Sequence, residues 1–161
     1  DNLIVLRGTS KFFAAPGLRL GYAVTGNGEL LTEIRTKKNP WTINSLAAIA
    51  GEIMFRDTDY INETRALISR ERKRMADALS SIPGAPAYKP YPAHANFVLV
   101  RILKEDLTSG FLFDTAIREK MMIRDCSTFP YLSEKYIRFC VMSPEMNDKL
   151  LDCLIAAAKK R

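Results

Sequence analysis

The sequence predicts an α/β fold, and three observations carry that prediction. Short apolar, β-branched runs stand at 3–6, 18–25, 96–102 and 136–142. Between and after them lie long stretches with helical apolar spacing and capping residues at their starts. Their order is two strands, a helical stretch, then strand, helix, strand, strand, helix, an alternation that belongs to α/β packing.

Residues 3–6 (Leu-Ile-Val-Leu) are apolar at every position, which reads as a buried strand. A loop from Lys11 to Gly17 with a Pro16-Gly17 turn signal leads to a second strand at 18–25. Gly26-Asn27-Gly28 makes a turn, and 29–36 is a short helix with Leu30, Leu31 and Ile34 on one face. Lys37-Lys38-Asn39-Pro40 stops it, because proline disfavours helix in the residue before it. Trp41 follows in a loop, where it either lines a pocket or packs under the chain.

An alanine-rich helix spans 44–55, and Asp57, Thr58 and Asp59 supply caps for a longer one running to about residue 81. In the longer helix Ile61, Ile68, Met75 and Ile82 recur every seven residues, widened by Leu67 and Leu79. The opposite face carries Arg65, Arg70, Arg72, Lys73 and Arg74 with Glu63 and Glu71, and reads as solvated. Pro83-Gly84 ends the helix, and 86–92 is a proline-punctuated connector. A strand at 96–102, a helix at 108–120 and a short strand at 121–124 follow, then a loop from Cys126 to Ser133.

The strand at 136–142 puts Ile137, Phe139 and Val141 on one face and Tyr136, Arg138 and Cys140 on the other. Ser143-Pro144-Glu145 starts a last helix whose stripe is Leu150, Leu151, Leu154, Ile155 and Ala158, with Lys159-Lys160-Arg161 at its negative end.

The chain has 161 residues, of which 47% are hydrophobic and 26% charged, enough for a real core. No apolar run approaches the ~20 residues of a membrane span. A formal charge of +6 would suit nucleic acid or a lipid surface, but no aromatic-interleaved RNA motif or zinc-finger spacing accompanies it, so neither partner is expected. Cys126, Cys140 and Cys153 fit no zinc pattern and are expected as buried or half-buried thiols in a reducing cytoplasm, with no metal site. His94, the only histidine, lies in a proline-rich turn and reads as a turn or pocket residue.

The stretch with the most chemistry is Ser10-Lys11 followed by Pro16-Gly17-Leu18-Arg19-Leu20-Gly21-Tyr22. A lysine able to form an imine, a hydroxyl and an arginine beside a turn are what a pyridoxal phosphate site needs, although a surface hairpin with two ordinary cations has the same residues. The stretch resembles the lysine segment of fold-type I pyridoxal phosphate enzymes of the aminotransferase class I/II superfamily, in the branch holding histidinol-phosphate aminotransferases and threonine-phosphate decarboxylases. Asn39-Pro40-Trp41-Thr42-Ile43-Asn44, the run from Leu46 to Glu52, and Ile123-Arg124-Asp125-Cys126 with Tyr136-Ile137-Arg138 are similar to the decarboxylases in particular.

The resemblance implies that Lys11 is the lysine joined to the cofactor, pyridoxal 5'-phosphate, and that Ser10 and Arg19 hold its phosphate. It implies that Arg138 grips the substrate α-carboxylate and that Arg124 binds its carboxylate or phosphate. Gly8 stands where many relatives carry Ser or Thr, leaving the Gly8 N–H and the Thr9 hydroxyl as the groups at hand to replace it.

It further implies a remnant of a large domain at 1–43, and bridging helices with an α/β small domain at 44–161. The chain is thus expected to be a C-terminal portion of a homodimeric enzyme. The ring-nitrogen acid and ring-stacking aromatic are expected before Asp1, so the 161 residues alone are expected to bind cofactor weakly or not at all and to be inactive. The activity implied is decarboxylation of L-threonine O-3-phosphate to aminopropanol phosphate, as in cobalamin synthesis. Histidinol-phosphate transamination, or that of another class I/II aminotransferase, is the alternative, and a non-catalytic sensor domain of a transcription regulator a further one.

Overall fold

The computed structural model describes residues 2–84 and 86–159. The chain divides into two units, one ending at Thr64 and the other beginning at Arg65.

In the first unit, strand β1 (Ile4–Gly8) pairs antiparallel with β2 (Gly21–Thr25), in a register that sets Ile4 opposite Thr25 and Gly8 opposite Gly21. A Cβ on Gly21 would sit 2.9 Å from the Arg7 carbonyl oxygen, so the strands close here only on glycine. Helix α1 (Thr9–Phe12) and a 3-10 turn at Pro16–Leu18 fill the connection. Lys11 therefore sits on a helical turn rather than in the expected loop; one turn is too short to leave an apolar periodicity in the sequence.

Helix α2 (Gly28–Lys37) is capped by the Asn27 side chain, and α3 (Ser45–Arg56) by the Asn44 side chain. Helix α4 (Thr58–Ser80) starts in this unit, its Tyr60 N–H donating to the Asp57 carboxylate.

The expectation that residues 3–6 form a buried strand is corrected. Every residue of β1 is exposed, and Leu3 and Leu6 are 68% and 74% accessible. The ladder has two strands only, and the Phe55 ring that meets Tyr22 of β2 edge-on at 5.5 Å leaves that residue exposed. Trp41 is 90% accessible, so it does not pack under its loop.

The second unit is a four-stranded antiparallel sheet in the order β3 (Tyr88–Pro90), β4 (Phe97–Ile102), β6 (Tyr136–Cys140), β5 (Arg124–Asp125). Its core joins Val98 and Val100 of β4 and Ile137 and Phe139 of β6 to Met75 and Leu79 of α4. Leu112 and Ala116 of α5 (Ser109–Arg118) and Leu150, Leu151 and Leu154 of α6 (Pro144–Lys159) complete it. The alternation read for β6 holds, with Ile137 and Phe139 buried and Tyr136, Arg138 and Cys140 on the opposite face. The cap expected from Ser143 forms, its hydroxyl accepting from the Met146 N–H. Lys160 and Arg161 lie outside the described residues.

Four features depart from the sequence reading. Strand β3 lies inside what reads as a connector, because its Pro90 is tolerated on an edge strand. Cys140 is exposed rather than buried, since it alternates with Phe139 on the open face of β6. His94 is exposed as well.

The fourth is Glu71, expected on a solvated face but 3% accessible. Two of its neighbours explain the burial. Arg74 donates to both of its carboxylate oxygens, and Asn147 Nδ2 donates to Oε2 at 2.9 Å. Asn147 also accepts from the Met142 N–H and donates to the Met142 carbonyl, so one buried carboxylate ties α4 to the end of β6 and the start of α6. The Arg74 hydrogen bonds, then the Asn147 one, hold the Glu71 carboxyl below its ordinary range against the opposing effect of desolvation.

Candidate functional site

The first group of predicted site residues lies on the β1–β2 connection. Ser10 and Lys11 are on α1, and Arg19 follows the 3-10 turn. The turn is held from below by Thr9, whose N–H and Oγ1 both donate to the Leu20 carbonyl, at 3.1 and 2.8 Å. Thr9 is 2% accessible, so its hydroxyl is committed to closing the connection and is not the substitute phosphate ligand.

Rings hold the same turn from the side. Phe13 stacks on Tyr60 at 5.6 Å and meets Phe55 edge-on at 5.8 Å, Phe12 meets Tyr60 at 6.1 Å, and the Tyr60 hydroxyl donates to the Phe12 carbonyl at 2.8 Å. The two rings that follow Lys11 are thereby fixed to α3 and to the start of α4, while Lys11 itself is exposed. Arg19 adopts φ 54° and donates to the Pro16 carbonyl at 3.1 Å. Among the described residues neither Lys11 nor Arg19 is in an ion pair.

An exposed amine, a hydroxyl and a guanidinium on one short connection are a donor set that fits a phosphorylated aldehyde. Gly8 and Gly17 leave open space where side chains would stand.

The second group lies on the sheet. Arg124 of β5 and Arg138 of β6 are Cα partners across the antiparallel pair, and their side chains share its open face. Like charges directly opposite each other are destabilising, and Arg138 is half-buried. Yet among the described residues neither guanidinium makes an ion pair or a hydrogen bond.

Aromatic faces take the place of a carboxylate. Arg138 lies 4.9 Å from the Phe97 ring centroid and 5.8 Å from that of Phe129, and Arg124 lies 5.1 Å from the same Phe129 ring. The adjacent acid, Asp125, is occupied elsewhere: one carboxylate oxygen accepts from the Ser127 N–H at 2.8 Å and from the buried Ser109 hydroxyl at 2.7 Å. Those bonds, the Ser127 one first, hold the Asp125 carboxyl below its ordinary range. Both arginines line a cleft of about 570 Å3 with Phe113, Thr128 and Cys140. Burial pushes the nearby Cys126 thiol up, and Arg138 and Arg124 oppose that shift.

The sequence reading named the two arginines but not the rings beneath them. Phe97 and Phe129 carry no signal as single aromatics in a strand and a loop; the sheet register brings Phe97, and the turns after β5 bring Phe129, to the guanidiniums. Asp125–Ser109 and Tyr60–Phe12 were missed for the same reason, being contacts across 16 and 48 residues.

Residues 1–154 match the family model described as aminotransferase class I and II. The chain belongs to that family. Among its relatives, the threonine-phosphate decarboxylase of Salmonella typhimurium (strain LT2) is 35% identical over 153 residues, which are 95% of this chain and 40% of that protein. The histidinol-phosphate aminotransferase of Thermoanaerobacter sp. (strain X514) is 38% identical over 154 residues, 96% of this chain and 41% of that one. Among solved structures, the histidinol-phosphate aminotransferase from Clostridium acetobutylicum superimposes with a TM-score of 0.85 at 36% identity, covering 99% of this chain and 46% of that one. The chain thus spans about two fifths of the length of the curated relatives it matches. The solved histidinol-phosphate aminotransferase from Sinorhizobium meliloti, 21% identical with a TM-score of 0.74, is in complex with pyridoxal-5'-phosphate, and the α/β fold expected from the sequence is that of a portion of this family's fold.

Proposed function

We propose that this chain is part of a pyridoxal phosphate enzyme that decarboxylates L-threonine O-3-phosphate to aminopropanol phosphate. In the whole protein, residues 1–43 would belong to the large domain, and 44–161 to the bridging helices and small domain. Such an enzyme would act as a homodimer in cobalamin synthesis.

One observation carries the reading. Two arginines stand side by side on a rigid sheet, supported by rings and unpaired by carboxylates, so their donors are free for a substrate with two anionic groups. In the reading, the Arg138 fork takes the α-carboxylate and Arg124 the phosphate. A fork on a strand fixes the direction of a carboxylate as well as its charge, and which bond at Cα breaks depends on that direction.

In the first unit Ser10 and Arg19 would hold the cofactor phosphate and Lys11 the cofactor itself. The cofactor, when bound, supplies a ring that accepts the electrons of the bond broken at Cα. The Lys11 amine, exposed and free of an ion pair among the described residues, would carry a proton to or from Cα.

A second reading has its own support. Histidinol phosphate is also a phosphorylated amine, and the relative from Thermoanaerobacter, 38% identical, is named for transamination of it. Full-length protein supplied with L-threonine O-3-phosphate separates the two. Release of CO2 without 2-oxoglutarate supports the decarboxylase. Conversion of histidinol phosphate that requires 2-oxoglutarate, with no CO2 from threonine phosphate, overturns it.

A further inference from the structure

Two guanidiniums directly opposite each other on neighbouring strands need a reason not to splay apart. Long arginine side chains have many rotamers, so an unpaired pair would sweep a wide volume and meet an anion in few of its states. One ring is shared by both. Phe129 lies within reach of both guanidiniums, at 5.1 Å from Arg124 and 5.8 Å from Arg138, whereas among the described residues Phe97 meets Arg138 alone.

The ring is itself fixed by the loop that carries it. The Phe129 N–H donates to the Cys126 carbonyl at 3.0 Å, and the Phe129 carbonyl accepts from the Leu132 N–H at 3.1 Å. The loop is tied at its start by the Cys126 N–H to the Tyr136 carbonyl at 3.1 Å, and by the Ser127 N–H to Asp125. Asp125 in turn takes the Ser109 hydroxyl at the N-terminal end of α5.

We propose that Phe129 is a positioning residue that sets the spacing of Arg124 and Arg138, and so decides the affinity of the pair for anionic groups of the substrate. The inference rests on the reading of these arginines as the substrate's anion grip. A π face holds a cation without using its N–H donors, so both forks stay open to a ligand. A carboxylate in the same place would neutralise the pair and compete with the substrate.

The test uses full-length protein loaded with pyridoxal phosphate, so that the cofactor's own phosphate site is filled. Inorganic phosphate is titrated calorimetrically, and steady-state kinetics are taken with the phosphorylated amine the enzyme turns over. Phe129→Leu removes the π face and keeps an apolar side chain; Phe129→Tyr keeps the face and controls for the fold. Loss of two cation–π contacts predicts that Phe129→Leu weakens phosphate binding and raises KM about tenfold, with a much smaller change in kcat, while Phe129→Tyr stays near the wild type.

Equal losses in the Leu and Tyr variants, or a fall in kcat at unchanged KM, overturn the inference. Arg124→Gln and Arg138→Gln separate the two levels. If they abolish phosphate binding and Phe129→Leu does not weaken it, the inference alone fails. If they leave phosphate binding unchanged, the anion-grip reading fails and the inference with it.

Discussion

The β1–β2 hairpin and the β3–β4–β6–β5 sheet are both antiparallel, and both carry proposed site residues, but they hold them by different means. The hairpin is exposed on both faces, and its connection is fixed by Thr9, by a group of rings and by the Tyr60 hydroxyl. The four-stranded sheet buries the centre of one face, with Val98, Val100 and Ile137 at 0% accessibility, and carries Arg124 and Arg138 on the other. The comparison teaches that the arginine pair is placed by a hydrophobic core, whereas the lysine turn is placed by local polar and aromatic contacts. Damage to the core should therefore move everything on the sheet, and damage around Lys11 should stay local.

The largest effect is expected from the core. Leu154 has 0% accessibility, so Leu154→Ala should destabilise the second unit by about 3 kcal/mol, read as a lower urea midpoint in full-length protein. A shift no larger than that of a surface substitution would break the comparison, because the sheet would not depend on its core.

Next is the buried carboxylate. Glu71→Ala leaves Arg74 and Asn147 without their shared acceptor and should cost about 2 kcal/mol, tempered by the partial exposure of Arg74. Its pH dependence has a definite sign. The folded-state pKa is depressed, so the folded protein binds fewer protons than the unfolded chain through this range. The stability due to Glu71 is fully present above its ordinary value of 4.5 and is lost as pH falls through the lower folded value. The stability gap between wild type and Glu71→Gln should therefore narrow on acidification below that value; a gap that widens would contradict the burial argument.

The smallest effect is expected at the lysine turn. Tyr60→Phe keeps the stack on Phe13 and removes the bond to the Phe12 carbonyl, worth about 0.5–1 kcal/mol. It should leave the global unfolding midpoint almost unchanged while increasing amide exchange around Phe13. Protection lost over the four-stranded sheet instead would show that the two regions are not held independently.

Much of this contrast was legible in the sequence, and the reasons it was not fully so are physical. Helix starts at Asp57 and Ser143 were readable because a cap acts within three residues. The faces of β6 were readable because strand alternation is local. Lys11, Ser10, Arg19, Arg124 and Arg138 were named from a resemblance; that Arg124 and Arg138 sit opposite each other required the register. Glu71 was misplaced because a charged residue on an arginine-rich helix face gives no hint of an asparagine 76 residues later. An all-apolar run predicts a strand buried on both faces, and β1 instead lies bare, because that pattern reports what a strand is suited to pack against and not which residues supply the cover.

The assignment of Lys11 is tested most directly by chemical trapping. Full-length protein loaded with pyridoxal phosphate is reduced with borohydride, digested, and mapped by mass spectrometry. The account predicts the pyridoxyl group on the peptide bearing Lys11, and no incorporation in Lys11→Ala. Label on a different lysine, or undiminished label in Lys11→Ala, would contradict it.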